Sequence, residues 1–315
     1  GFALNGATVK GKAALTNYGT ITIKDSSEGK TGTIKRDDNG TVGEKSYYVI
    51  RNQGTMTIES GTVINNSGYR KANSTGSMVG SSLICNGDGD TAATLNITGG
   101  TLEQKNFIAI KNGSLGTLNV SGGTISSDHS AIQNWFVANI TGGEIKGQLW
   151  TDAYIAGESV GQTKIGGDAK FTGEIVMDIT GSSVVPALEI NGGNLNVTNW
   201  RITSAAAKAG AKPAVSGGTF NAPVKPEYCA PNYEPVDNGD GTYGVKLFYV
   251  AKIDGKEYKT LQEAINAAEN GQKIYLLRDI AVTDTVKFDK AGLSIAIDLQ
   301  GHTITGDKCR ALQVI

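Results

Sequence analysis

Histidine, cysteine and proline are scarce in this chain of 315 residues, which has two, three and six of them. His129 and His302 stand alone, with no nucleophile or ligand partner at a useful spacing. Cys85, Cys229 and Cys309 are odd in number and widely spaced, so they form neither a metal motif nor a redox pair. Spacing alone does not decide whether two of them are joined. An excess charge of one sign is also missing. Lys and Arg total 29 against 30 Asp and Glu, for a net −1 without a basic run, which argues against nucleic acid as a partner. No apolar stretch approaches the roughly 18 residues of a membrane span, and no signal peptide or sorting tail is visible.

What is abundant is glycine, at 43 residues, much of it set in a repeated phrase. TLNITGGTLEQ, TLNVSGGTISS and ANITGGEIKG follow one another between Ala93 and Gly147, and looser copies extend along most of the chain. The first glycine of the pair falls at Gly99, Gly122, Gly142, Gly167, Gly192 and Gly217, with Asp25 and Ser60 as earlier, weaker members. Spacings of roughly 20 to 39 residues indicate stacked coils rather than independent folding units.

Two places before that position stand Ile23, Ile58, Ile97, Val120, Ile140, Ile165, Ile190 and Val215. Four places before it stand Ile21, Met56, Leu95, Leu118, Ala138, Thr163, Leu188 and Pro213. A two-residue step with one apolar face is strand periodicity. Three places after it come Val63, Leu102, Ile125, Ile145, Leu195 and Phe220; Lys170 interrupts this column, with Phe171 one place late, which predicts a slip. A third column is expected eight places on, at Phe107, Trp150, Ile175 and Trp200, with Ala109, Ile132, Met177 and Ile202 two places further and Asp152 as the exception there. Three short apolar segments per coil describe a parallel β-helix of about eight coils, spanning roughly 35–40 Å at strand spacing. Leucine-rich repeats would need a set of leucines these coils lack, and helical solenoids would not tolerate so many glycines and β-branched residues.

Along the chain, residues 1–225 read as the β-helix, 226–249 as a linker with a β-hairpin, and 250–315 as a helix-bearing cap leading into further coil. Protruding loops are expected at 26–48 and 65–91, the places where such folds carry specificity. Asp237-Asn238-Gly239-Asp240-Gly241 is a turn signal. Thr260 and Glu263 have the spacing of a capping box, Leu261, Ala264, Ile265 and Ala268 share a face, and Gly271 is the expected stop. Leu299-Gln300-Gly301-His302-Thr303-Ile304 mirrors Leu4-Asn5-Gly6-Ala7-Thr8-Val9, so the chain reads as slightly more than one period of a tandem array, with a truncated first module and the start of a second.

The stretches EYCAPNYEPVDNGDGTYGV, IDGKEYKTLQEAINAAENGQKIYLLRDI and IDLQGHTITG make a further likeness specific. The chain resembles the repeating unit of large surface proteins of gut-type Gram-positive bacteria, which carry pectate-lyase-like modules. The resemblance covers nearly the whole chain. It implies a right-handed, single-stranded parallel β-helix in an extracellular, cell-wall or cell-surface setting, and it implies no activity.

No catalytic, cofactor or metal residues are assigned. Pectin hydrolases of this fold resemble one another through four motifs, of which only Asp37-Asp38 and Gly301-His302 occur here, in different modules. Arg201 has no evident carboxylate at an equivalent position of the next coil. Asn86-Gly87-Asp88-Gly89-Asp90 and the 237–241 run lack the complete ligand series of a calcium loop. Trp150 and Trp200 are read as an interior stack, with a sugar platform as the alternative. Trp135, Tyr47 and Tyr48 fall outside the columns and are the candidates for surface contact. Asn96, Asn119 and Asn139 share a position and predict an outer polar ladder. The expected role is that of a non-catalytic structural and adhesive module, a stiff stalk presenting loops to host or cell-surface glycans or proteins, with neighbouring modules end to end. The competing expectation is a carbohydrate-active enzyme, a polysaccharide lyase or glycoside hydrolase of the β-helix superfamily.

Overall fold

The computed structural model describes residues 14–36, 46–87, 91–154, 159–182 and 184–315, with the backbone of the short strands Phe2–Ala3 and Thr8–Val9. The chain forms two compact units, one of residues 1–230 and 235–245, the other of 231–234 and 246–315.

The first unit is a parallel β-helix. Its first face is built from strands such as Ala93–Ile97, Gly116–Val120 and Val137–Ile140, paired in parallel and in register. The column expected two places before the glycine pair is observed in full, each member a Cα partner of the next from Ile23 to Val215. None of the eight is more than 1% exposed. At about 1.5–3 kcal/mol for each fully buried aliphatic side chain, such columns supply much of the force that holds the coils together. The one polar member of the adjacent column, Thr163, is buried at 1% and bonds to the Thr151 hydroxyl at 2.7 Å.

The second face carries Ile34, Val63, Leu102, Ile125, Ile145, Phe171, Leu195 and Phe220 in register. Phe171 keeps its place because the turn at Gly166–Ala169 holds one extra residue, the slip the sequence predicts. The glycine pair has two separate causes. A Cβ on Gly122 would lie 2.3 Å from the Thr98 carbonyl oxygen of the coil below, and Gly123 has φ +74°.

The third face corrects the expected register. Its inward column is Leu15, Ile50, Ile84, Ile110, Ile132, Leu149, Ile175 and Trp200. Phe107, Ala109 and Trp150 are not in it. The corner before this face varies in length, running from Leu102 to Ile110 in one coil and from Ile145 only to Leu149 two coils later, with bulges between paired strands. Counting a fixed distance from the glycine therefore fails here.

Two residues beyond that column lies a ladder that the sequence reading missed. Asn17 donates to Asn52 at 2.8 Å, Asn52 to Asn86 at 2.7 Å, Asn86 to Asn112 at 2.7 Å and Asn112 to Asn134 at 2.8 Å. Asn134 closes it on the Thr163 hydroxyl at 2.9 Å. The remaining amide hydrogens turn each coil's corner by reaching carbonyls of the next segment, as Asn112 does to Gly116 and Val137. The predicted outer ladder also forms, with Asn119 donating to Asn96 at 2.9 Å and Asn139 to Asn119 at 3.0 Å.

Two loop expectations change. Thr33–Arg36 is a coil strand, so the described start of the expected 26–48 excursion is only a corner at 26–32, tied by Asp25 accepting from the Ser27 and Gly32 amides; residues 37–45 lie outside the described residues. Asp37-Asp38 fall there too. The 65–91 excursion contains an antiparallel hairpin, Arg70–Ala72 against Met78–Gly80, which folds back rather than projecting freely. A Cβ on Gly80 would meet the Phe107 ring at 2.7 Å, and the Gly80 amide donates to the Ser46 hydroxyl at 3.2 Å. A short helix not expected from sequence, Ser204–Lys208, starts where Thr203 accepts from the Ala206 amide; its alanine run is the signal that was available.

In the second unit, Leu261–Ala267 is helical and the capping box is present. Thr260 Oγ1 accepts from the Glu263 amide at 3.1 Å, and Glu263 Oε2 from the Thr260 amide at 3.2 Å. The helix ends at Ala267, with Ala268 already extended, so Gly271 (φ +82°) shapes the following turn rather than stopping the helix. Leu261, Ala264 and Ile265 pack with Val250, Ile253, Ile274 and Leu276. Parallel pairs Lys273–Leu276 with Ala296–Asp298, Ile280–Val282 with Ile304–Gly306, and Val286–Phe288 with Leu312–Val314 lay one coil on another.

Candidate functional site

The third face of the first unit carries a groove of about 740 Å³. Along Glu144–Tyr154 the residues Trp150, Asp152 and Tyr154 alternate with the inward Leu149 and Thr151, so all three reach this side. Lys111 and Gln133 stand in the same outward column as Trp150. Trp135 enters from the corner after Asn134, and Thr180 from the end of the Lys170–Thr180 strand. The 70–80 hairpin supplies the opposite wall through Arg70, Met78 and Val79.

Aromatic and cationic groups dominate. Trp135 and Tyr154 stack at 4.6 Å with an interplanar angle of 15°. Lys111 Nζ lies 4.5 Å above the Trp135 ring and 5.8 Å from that of Tyr48. Arg201 covers Trp150 at 4.7 Å, and the Trp150 indole donates to Gln148 at 3.0 Å. Such contacts hold the rings in place. Glu174 anchors this end, accepting from Gln148 and Asn199, each at 2.7 Å, and from Arg201 at 3.2 Å. Arg201 thus has a carboxylate partner on the adjacent coil, displaced along the strand from its own register partner Val176.

Asp152 is the one carboxylate among the described lining residues, and it is only 4% exposed. Its Oδ1 has no hydrogen-bond partner among the described residues. Burial, reinforced by the charge of Asp178 on the next coil, raises its pKa to about 6. Asp178 itself accepts from Thr203 at 2.7 Å and the Ile179 amide at 2.8 Å. His129, beside Phe107, has its pKa lowered, first by burial and then by Arg70 and Arg201, which favours the neutral imidazole at pH 7.

Of the surface candidates, Trp135 and Tyr48 reach the groove, whereas Tyr47 sits 5.6 Å from the buried Arg36. Trp150, expected inside, lies on the groove side. Trp200 ends the inward column against Phe220 and Tyr228, so the two tryptophans do not form a pair. From sequence, Asp152 shows only as the polar exception in the third column, and Lys111 and Arg70 do not stand out; the alternation Trp150-Thr151-Asp152 marks the side they share. His302 lies 3.5 Å from Asp279, away from any cluster. The 237–241 run is a turn, with Asp237 accepting from Gly239 at 2.8 Å and Asp240 from Thr242 at 3.0 Å. Among the described residues no group of acidic, His or Cys side chains could hold a metal, none of the three cysteines is in a disulfide, and no helix is long and apolar enough to cross a membrane.

This geometry defines a parallel β-helix with a preformed lateral groove. Compared with protein-family models, curated proteins and solved structures, the chain matches none.

Proposed function

We propose that the chain is a non-catalytic structural and adhesive module of a bacterial cell-surface protein, whose rigid coils hold a glycan-binding groove. The observation that carries this reading is the aromatic wall of Trp135, Tyr154 and Trp150, fixed beside a buried, incompletely bonded Asp152. Sugar rings offer apolar faces to aromatic side chains and hydroxyls to carboxylates, and a preformed site avoids the entropic cost of assembling these groups. The likeness of the 215–304 stretch to repeat units of Gram-positive surface proteins supports the extracellular setting. Parallel coil pairs in the second unit support modules that follow one another end to end.

A second reading, glycoside hydrolysis, has one observation in its favour: Asp152 and Asp178 are register partners on adjacent coils, and Asp152 has a raised pKa. Hydrolysis uses two carboxyl groups flanking the scissile bond, whereas Asp178 is engaged by Thr203 and the Ile179 amide. A glycan array probed with the intact protein and with a variant lacking residues 70–79 tests the adhesive reading. Binding without release of reducing ends, lost on removing the hairpin, is expected. Turnover of a bound glycan would favour the enzyme, and the absence of glycan binding would remove the adhesive reading.

A further inference from the structure

We propose that the groove is specific for acidic oligosaccharides: Asp152 Oδ1 accepts a hydrogen bond from a ring hydroxyl, while Lys111 and Arg70 hold a carboxylate or sulfate on the same chain. This rests on the glycan reading above and adds the class of glycan and the residues that select it.

Two independent observations carry it. The first is the orphan oxygen. A carboxylate oxygen at a site 4% exposed, lacking a donor, is costly unless something supplies one. Asp152 lines the groove, so a ligand that reaches its carboxylate supplies the missing donor. A hydroxyl serves, because it can donate to Asp152 while the ring lies along the Trp135–Tyr154 wall.

The second is the charge balance. Arg70 and Lys111 line the groove against the single carboxylate of Asp152 among its described lining residues. Among the described residues no acidic side chain forms an ion pair with Lys111 or Arg70, in contrast to Arg201, which is held by Glu174. Lys111 rests over two aromatic rings, a contact that leaves its hydrogens available for an anion. A cationic ligand would satisfy Asp152 but would have to enter past Lys111 and Arg70. A neutral sugar would leave Lys111 and Arg70 without a counter-ion. A chain carrying both hydroxyls and anionic groups meets both demands, and the groove volume lies within the roughly 300–1,000 Å³ of typical ligand pockets.

The test is calorimetric titration of the intact protein with hyaluronan hexasaccharide (carboxylated), heparin hexasaccharide (sulfated) and cellohexaose (neutral). At least one acidic hexamer is expected to bind about tenfold or more tightly than cellohexaose, the factor that one charge-assisted hydrogen bond supplies. Which acidic hexamer prevails separates carboxylate from sulfate as the recognised group. Lys111→Met should weaken the acidic hexamer about tenfold and flatten its salt dependence. Asp152→Asn should weaken it by a similar factor at unchanged salt dependence, with near-ultraviolet circular dichroism confirming that the variant is folded. Equal binding of neutral and acidic hexamers, no binding of either acidic hexamer, or acidic binding that both substitutions leave intact would overturn the proposal. Array binding of other glycans that survives both substitutions would do so too, while leaving the adhesive reading in place.

Discussion

Asn86 donates its side-chain amide to Asn112 Oδ1 at 2.7 Å, and neither residue exposes any surface to solvent. Each amide from Asn52 to Asn112 donates to one neighbour and accepts from another, so a single deletion takes a hydrogen bond from each of two buried groups. Asn112→Ala should therefore cost about 2–4 kcal/mol, the loss of more than one buried hydrogen bond together with the space the amide filled. The half-buried outer-ladder variant Asn119→Ala should cost less than about 1 kcal/mol. Urea denaturation of the two variants checks the contrast, and equal effects would deny the inner row its structural role.

The glycine pairs make a steric prediction. Gly122→Ala drives a methyl group onto the Thr98 carbonyl oxygen at 2.3 Å, whereas a Cβ on Gly19 would meet nothing within 4 Å. Backbone on one side and a neighbouring coil on the other leave Gly122 little room to relax. Its replacement should cost about 3 kcal/mol and Gly19→Ala well under 1 kcal/mol, measurable as separate shifts in thermal midpoint.

Asp152 ties stability to pH. Its folded pKa of about 6 lies above the ordinary carboxylate value of 3.8, so the folded state favours the protonated form. The stabilisation is fully present below about pH 4 and is lost as pH rises through 6; above that, the ionised group costs about 2–3 kcal/mol. Asp152→Asn should thus stabilise the protein at pH 8 and change little at pH 4. Ligand binding through an ionised acceptor should run the other way and strengthen between pH 5 and 7. Denaturation of both proteins at the two pH values separates these trends. Such opposition between stability and binding is common where a site keeps a buried charge.

In the second unit, the capping box at Thr260 and Glu263 satisfies amides at the start of a helix only two turns long. Thr260→Ala should lower stability by about 1 kcal/mol, and an effect on amide exchange confined to 259–267 would mark it as local.

Much of the stack was legible in the sequence because the first and second faces are joined by a turn of nearly constant length. Ile97, Val120 and Ile140 therefore recur at a fixed distance from Gly99, Gly122 and Gly142. The third face was not legible, because the corner before Ile110, Ile132 and Leu149 changes length from coil to coil. That miscount put Trp150 inside. It also concealed the row from Asn17 to Asn134, although an aliphatic residue two places before each asparagine repeats the pattern five times. The groove was readable only in part: Trp135 and Tyr48 stood out as aromatics beyond the columns. Asp152, by contrast, gains its character from burial beside Asp178 and Thr180, which are distant in sequence.

Hydroxyl-radical footprinting of the intact protein, with and without a bound acidic oligosaccharide, tests most directly where the ligand is held. The account predicts protection concentrated at Trp135, Trp150 and Tyr154, with the Asn96–Asn119–Asn139 face unchanged. Protection on that outer face, or a bound ligand that leaves the three aromatic residues as reactive as before, would contradict it.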